Sequence, residues 1–178
     1  MLEFLGGIRH QPWKVVPTGQ LWAVSLGCGA LFLLLATDDD GFLFLIDHAN
    51  LAFHEAGHLF YGILGPTLGL YGGTLGQLTF PFIAGLAFWA RRETVGSAFA
   101  WVWFFQNFLN IAQYMADARA QRLPLVGGGD HDWANIFGRW GVLPLDTTIA
   151  SAVQFLGWVG MIAASGWVAW RWAYQPKE

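Results

Sequence analysis

Apolar and polar positions alternate along the chain in long blocks. Five apolar runs stand out, at approximately 20–36, 42–64, 75–90, 95–115 and 149–172. Each is close to the length of about 20 residues that a helix needs to cross a bilayer. The punctuation between them is polar or helix-breaking. A short lead over residues 1–18, with Pro12 and Pro17, precedes the first run, which ends at Asp38-Asp39-Asp40. Gly65-Pro66 breaks the second run, and Gly69 to Gly73 reads as a flexible connection. Pro81 predicts a kink in the third run, and Arg91-Arg92-Glu93 separates it from the fourth. Residues 116–146 form the longest polar region and contain a short predicted helix ending at Trp140. The pattern predicts an all-α, polytopic integral membrane helical bundle of four or five transmembrane segments, a single domain over 1–178.

Composition agrees with that pattern. Of 178 residues, 55% are hydrophobic and 12% charged, against about 25% charged in an ordinary soluble domain. Eleven tryptophans suit the two bilayer interfaces. The formal charge of -3 and the lack of a basic cluster argue against nucleic acid as a partner. Cys28 is the only cysteine, so neither an intrachain disulfide nor a cysteine zinc site is available. No small-residue cleavage site follows the first run, which reads as a retained anchor.

Orientation turns on the second run. If every run spans, Arg9, Lys14, Arg119, Arg122 and Arg139 lie opposite Arg91, Arg92, Arg171 and Lys177. If the second run enters and returns, Arg9 and Lys14 join the latter group, and only Arg119, Arg122 and Arg139 lie outside. The positive-inside rule mildly prefers the second arrangement. The side on which a site would open stays undecided at this point.

The chemistry sits in that second run, at His54-Glu55-Ala56-Gly57-His58. Residues four apart share a helical face, so His54 and His58 can offer two imidazoles to one metal. Glu55 is placed to accept a proton from water at the metal's open position. At 100° per residue, Asp47, His48, Asn50, His54, Glu55 and His58 fall within an arc of roughly 160°. Phe53, Ala56, Phe60, Ile63 and Leu64 take the other side. Lipid cannot satisfy such a polar stripe, and an ionisable group at membrane depth costs roughly 2.5–3.5 kcal/mol on insertion scales. The stripe therefore faces a cavity or other polar groups.

A third ligand must come from elsewhere, since Leu64 occupies the position of an extended-motif histidine. Asn107, Asn110, Tyr114 and Asp117 recur at three- and four-residue steps and make a second polar stripe, with Asp117 as the first candidate ligand. His131, which follows Gly127-Gly128-Gly129, is the alternative. Asp130 and Asp132 read as helix N-cap groups.

In these residues the chain resembles the site-2-protease-like membrane zinc metallopeptidases. His54, Glu55 and His58 match that family's first motif. Asp117 matches the later aspartate only by position, because Ala116 and Ala118 replace the flanking Leu and Gly. The resemblance covers roughly 42–120. The stretch of Asp117, Arg119, Leu123-Pro124-Leu125 and His131-Asp132-Trp133 is also similar to a small bacterial group related to these peptidases, which implies the bacterial inner membrane as the setting. The resemblance implies a Zn cofactor held by His54, His58 and Asp117, with Glu55 as catalytic base and Asn107 or Asn110 on the substrate or the oxyanion. It further implies cleavage of peptide bonds in a membrane protein or peptide substrate, within or near the bilayer. Two other readings compete. One is a non-catalytic subunit of a larger membrane complex, with the tryptophans of the last two runs making broad contacts to other membrane subunits or pigments. The other is haem or chlorophyll ligation by His48, His54 or His58, for which only His10 and His131 remain as facing histidines.

Overall fold

A computed structural model of the chain describes residues 11–37, 43–126 and 129–176. The Asp38-Asp39-Asp40 cluster, Arg9, His10, the first ten residues of the lead, Phe42, Gly127, Gly128 and Lys177 lie outside the described residues. Within them the fold is all-helical, with no strand. Six α-helices follow in order: α1 (Thr18–Thr37), α2 (Phe44–Gly62), α3 (Pro66–Ala90), α4 (Thr94–Ala116), α5 (Asp132–Trp140) and α6 (Asp146–Tyr174). A 3-10 turn, Leu143–Leu145, leads into α6.

One boundary differs from the expected pattern. Gly69 to Gly73 is not a linker but the second turn of α3, which opens with Pro66 at its first position. The glycines are there for packing. A β-carbon on Gly57 would stand 2.1 Å from the Gly72 carbonyl oxygen, and one on Gly76 2.3 Å from that of Phe53. Helices α2 and α3 therefore touch backbone to backbone, which only small residues permit. The same device joins α6 to α4, where Gly160 lies against the Phe105 ring at 2.2 Å from a notional β-carbon. Helix α1 is different: it lies beside α6 and buries none of its residues.

Two ends of the bundle are tied by named contacts. At one, Gln175 accepts from the Val16 N–H at 2.7 Å and donates to its carbonyl at 2.9 Å, and the Lys14 N–H donates to Arg92 O at 3.0 Å. At the other, the Arg119 Nε–H donates to Asp146 Oδ1 at 2.8 Å and Trp140 donates to the Tyr71 hydroxyl at 2.9 Å.

Two helical stretches are long and apolar enough to cross a membrane, Thr18–Thr37 and Leu143–Tyr174, with mean hydropathies of 1.7 and 1.4. Helices α2, α3 and α4 carry more polar residues, and these point inward. Asp47, Asn50, His54, Gln77, Gln106 and Asn107 are all buried, whereas Leu45, Leu59, Ile63, Ile83 and Phe99 are exposed.

Candidate metal centre

Helix α2 presents His54 and His58 one turn apart, as the four-residue spacing predicts. Each ring is pinned from behind. His54 Nδ1 lies 2.8 Å from Gln77 Oε1 on α3. The Gln77 amide group donates to Asn107 Oδ1 at 3.1 Å and to Asn110 Oδ1 at 3.0 Å, so its oxygen must be the atom facing His54. His58 Nδ1 lies 2.8 Å from the Gly69 carbonyl, which only accepts. Both histidines thus carry their proton on Nδ1, and both turn the Nε2 lone pair forward.

The two lone pairs converge on a carboxylate. Asp132 Oδ2 is 3.0 Å from His54 Nε2 and 3.0 Å from His58 Nε2, and the two nitrogens are 3.2 Å apart. Three electron-rich atoms at this spacing repel one another unless a cation or shared protons sit among them. Tetrahedral coordination at 2.0–2.1 Å spaces ligand atoms about 3.3 Å apart, within a few tenths of what is found. Among the described residues, His54, His58 and Asp132 form the group able to hold a metal ion.

Asp132 arrives by its own local logic. Helix α5 buries Trp133, Ile136 and Phe137, and Asp132 lies one turn before Ile136 on the same face. The helix is capped not by an aspartate but by His131, whose Nδ1 accepts from the Ala134 N–H at 3.2 Å. Gly141, in the left-handed conformation at φ 70°, ends it. The Tyr114 hydroxyl accepts from the Asp132 N–H at 3.1 Å and fixes the helix start against α4.

The two expected third ligands are engaged elsewhere. Asp117 accepts from the Arg122 N–H at 2.9 and 3.0 Å and from the Leu123 N–H at 2.9 Å, closing the turn after α4. It makes no side-chain pair with Arg119, which binds Asp146 instead. His131 is an N-cap, and its buried Nε2 points to Asp117 Oδ2 at 3.5 Å rather than to the histidines of α2. Burial holds the His131 imidazole below its ordinary value, with Asp117 and Asp132 opposing. Asn107 is fully buried and spends both its amide atoms, on Gln77 and on the Trp103 carbonyl, so it cannot also bind substrate. Asn110 also bonds Gln77, and donates to Asp47 Oδ1 at 3.3 Å, but it borders open space.

That space is a cavity of about 1130 Å³. Its walls include His54, His58 and Asp132, with Glu55, Gln113, Asn110 and Tyr114 on the helices and Leu123 to Val126 on the loop after α4. Glu55 therefore faces the same space as the three converging atoms. His48 also borders it, with Nδ1 against the Phe44 carbonyl at 2.6 Å. No family model, curated protein or solved structure matches the chain.

Proposed function

We propose that the chain is an integral membrane zinc metallopeptidase, with His54, His58 and Asp132 as the metal ligands. The observation that carries this reading is the convergence of two Nε2 lone pairs and one carboxylate oxygen, the two rings held from behind by hydrogen bonds and the aspartate by its backbone N–H on Tyr114. Two imidazoles and a carboxylate with an open side are a donor set that zinc favours in hydrolytic sites. Bound there, zinc supplies Lewis acidity and makes water a usable nucleophile near neutral pH. The chain's own residues do the rest. Glu55 takes a proton from water in the cavity and returns it to the departing amine. The Asn110 and Gln113 amides on the cavity wall align an extended peptide strand, and the Tyr114 hydroxyl, which accepts from Asp132, has its own proton to donate. Leu123, Leu125 and Val126 provide apolar contact for the side chains of a membrane segment.

The four- or five-span architecture belongs to the same proposal. Helices α2 to α4 fall short of the mean hydropathy of a spanning helix because polar residues line their interior faces, while their outer surfaces carry exposed leucine, isoleucine and phenylalanine. Water penalises such an inside-out arrangement and lipid favours it. The resemblance in His54, Glu55 and His58 supports peptide cleavage; the geometry alone supports metal-assisted hydrolysis. The second reading, a subunit of a larger membrane complex, is favoured by α1, which leaves its apolar surface open along its whole length.

The deciding experiment is metal analysis of the purified chain together with a peptidase assay on membrane-embedded peptides. About one zinc per chain and zinc-dependent cleavage are expected. Zinc without cleavage favours the subunit reading, and absence of any stoichiometric metal overturns both assignments of the site.

A further inference from the structure

The charged residues of this chain sort by the end of the bundle they occupy. At one end, the start of α1, the turn between α3 and α4 and the end of α6 come together around Trp13. The Trp13 ring meets Trp89 and Trp167 edge-on at 4.7 and 4.9 Å, with the guanidinium groups of Arg92 and Arg171 at 5.1 and 5.7 Å. Lys14 pairs there with Glu93. Arg91 adjoins them, so among the described residues this end carries four basic side chains against one acid. The opposite end carries Asp117, Asp130, Asp132 and Asp146 against Arg119, Arg122 and Arg139. Helix α4 runs from one end to the other with 23 residues, roughly 34 Å at 1.5 Å per residue, close to the thickness of a bilayer core.

The cavity lies towards the acidic end, where Leu123, Val126, Asp130 and Arg139 line it. Basic residues collect on the cytoplasmic side of membrane proteins, whereas tryptophans mark either interface, so the Trp13 cluster places this end at a membrane surface and its basic side chains decide which one. We infer that the Trp13 end is cytoplasmic and that the cavity opens on the opposite face of the membrane. Its substrates are then peptide segments that have already crossed, or tails anchored with their free end outside. The inference rests on the membrane reading above. It removes the ambiguity left by the sequence, because Lys14 stands with Arg92 and Arg171 rather than across from them, as in the arrangement where the HEAGH helix enters and returns.

Single cysteines at the two ends test it in the full chain. With Cys28→Ser as background, Val126→Cys marks the cavity loop and Tyr174→Cys the Trp13 end; the native side chains are 53% and 74% exposed. A membrane-impermeant maleimide is applied to right-side-out and to inverted vesicles. Val126→Cys is expected to label in right-side-out vesicles only, and Tyr174→Cys in inverted vesicles only. The mirror pattern overturns the inference, as does labelling of both positions from one side. Release of the chain by alkaline carbonate removes the membrane reading on which it rests. Labelling reports orientation whether or not metal is bound or peptide is cut, so its failure is distinguishable from failure of the metallopeptidase reading.

Discussion

Gly73 of α3 lies flat against the His54 imidazole, so close that a β-carbon at position 73 would stand 2.2 Å from Nε2. The contact explains why the glycine-rich start of α3 is helical rather than a linker: it is the wall on which the first histidine rests. A ring can turn away where a backbone cannot. Gly73→Ala is therefore expected to leave the helices packed while displacing His54 from Gln77 and from Asp132. Metal content after dialysis should fall well below that of wild type, with helicity and thermal transition little changed. Gly57→Ala makes the contrast, because its β-carbon meets the Gly72 carbonyl. Overpacking of that kind costs about 1–3 kcal/mol, and the melting temperature should drop.

The carboxylate ligand is the sharpest prediction about residue identity. Asp132→Asn preserves size and removes the charge among the two lone pairs, so stoichiometric metal should be lost. Asp117→Asn should retain metal, because its carboxylate serves the Arg122 and Leu123 N–H groups. Metal analysis of both variants beside wild type checks the pair; retention in Asp132→Asn with loss in Asp117→Asn would return the ligand to α4.

Much of this was legible in the chain. The apolar runs mark the long helices, because a continuous hydrophobic stretch needs no tertiary partner to be recognised. His54, Glu55 and His58 declare themselves by spacing. Asp132 was harder, since an acid beside a glycine run just before a helix reads as a cap. The overlooked signal was its phase: Asp132 shares a face with Ile136 and lies beside Trp133, and both are buried. An acid on the buried face of an amphipathic helix needs a cationic partner. Asp117 misled for the converse reason, as a polar stripe says which face is buried but not whether its last residue turns back to bind its own loop.

Gln77 was invisible to motif reasoning, yet it orients His54. Its oxygen fixes the His54 tautomer and its amide joins α3 to Asn107 and Asn110. Removing such a supporting group typically weakens metal affinity 10–100-fold. Gln77→Leu should show a loss of about that size in a competition titration with a chelator, and Gln77→Glu, which still accepts from His54 Nδ1, should recover part of it. Equal affinities across all three proteins would show that the ring is held by packing alone.

Protons compete with metal for the same lone pairs. Each histidine must be neutral to bind, so acid displaces the metal. Apparent affinity should therefore fall as pH drops from 8 to 5, and the metal should dissociate reversibly in acid. A flat profile, measured by equilibrium dialysis, would mean that the metal uses other donors.

Glu55 separates the ability to bind metal from the ability to use it. It borders the cavity beside His54 but is not one of the three converging atoms. Glu55→Gln keeps shape and polarity while removing the base. Metal content and helicity should match wild type, whereas cleavage of a membrane-embedded peptide should fall by roughly 10²–10⁴-fold, the usual worth of general acid–base help. Restoring the carboxylate one residue away, as Ala56→Glu in the Glu55→Gln background, should not rescue turnover, because that side chain projects about 100° further round the helix, away from the histidines. Comparing membrane peptides that accumulate in wild-type and Glu55→Gln cells identifies the substrate at the same time. Identical peptide profiles, with zinc present and membrane assembly unchanged, would leave a metal site without a reaction and turn the argument towards the subunit reading.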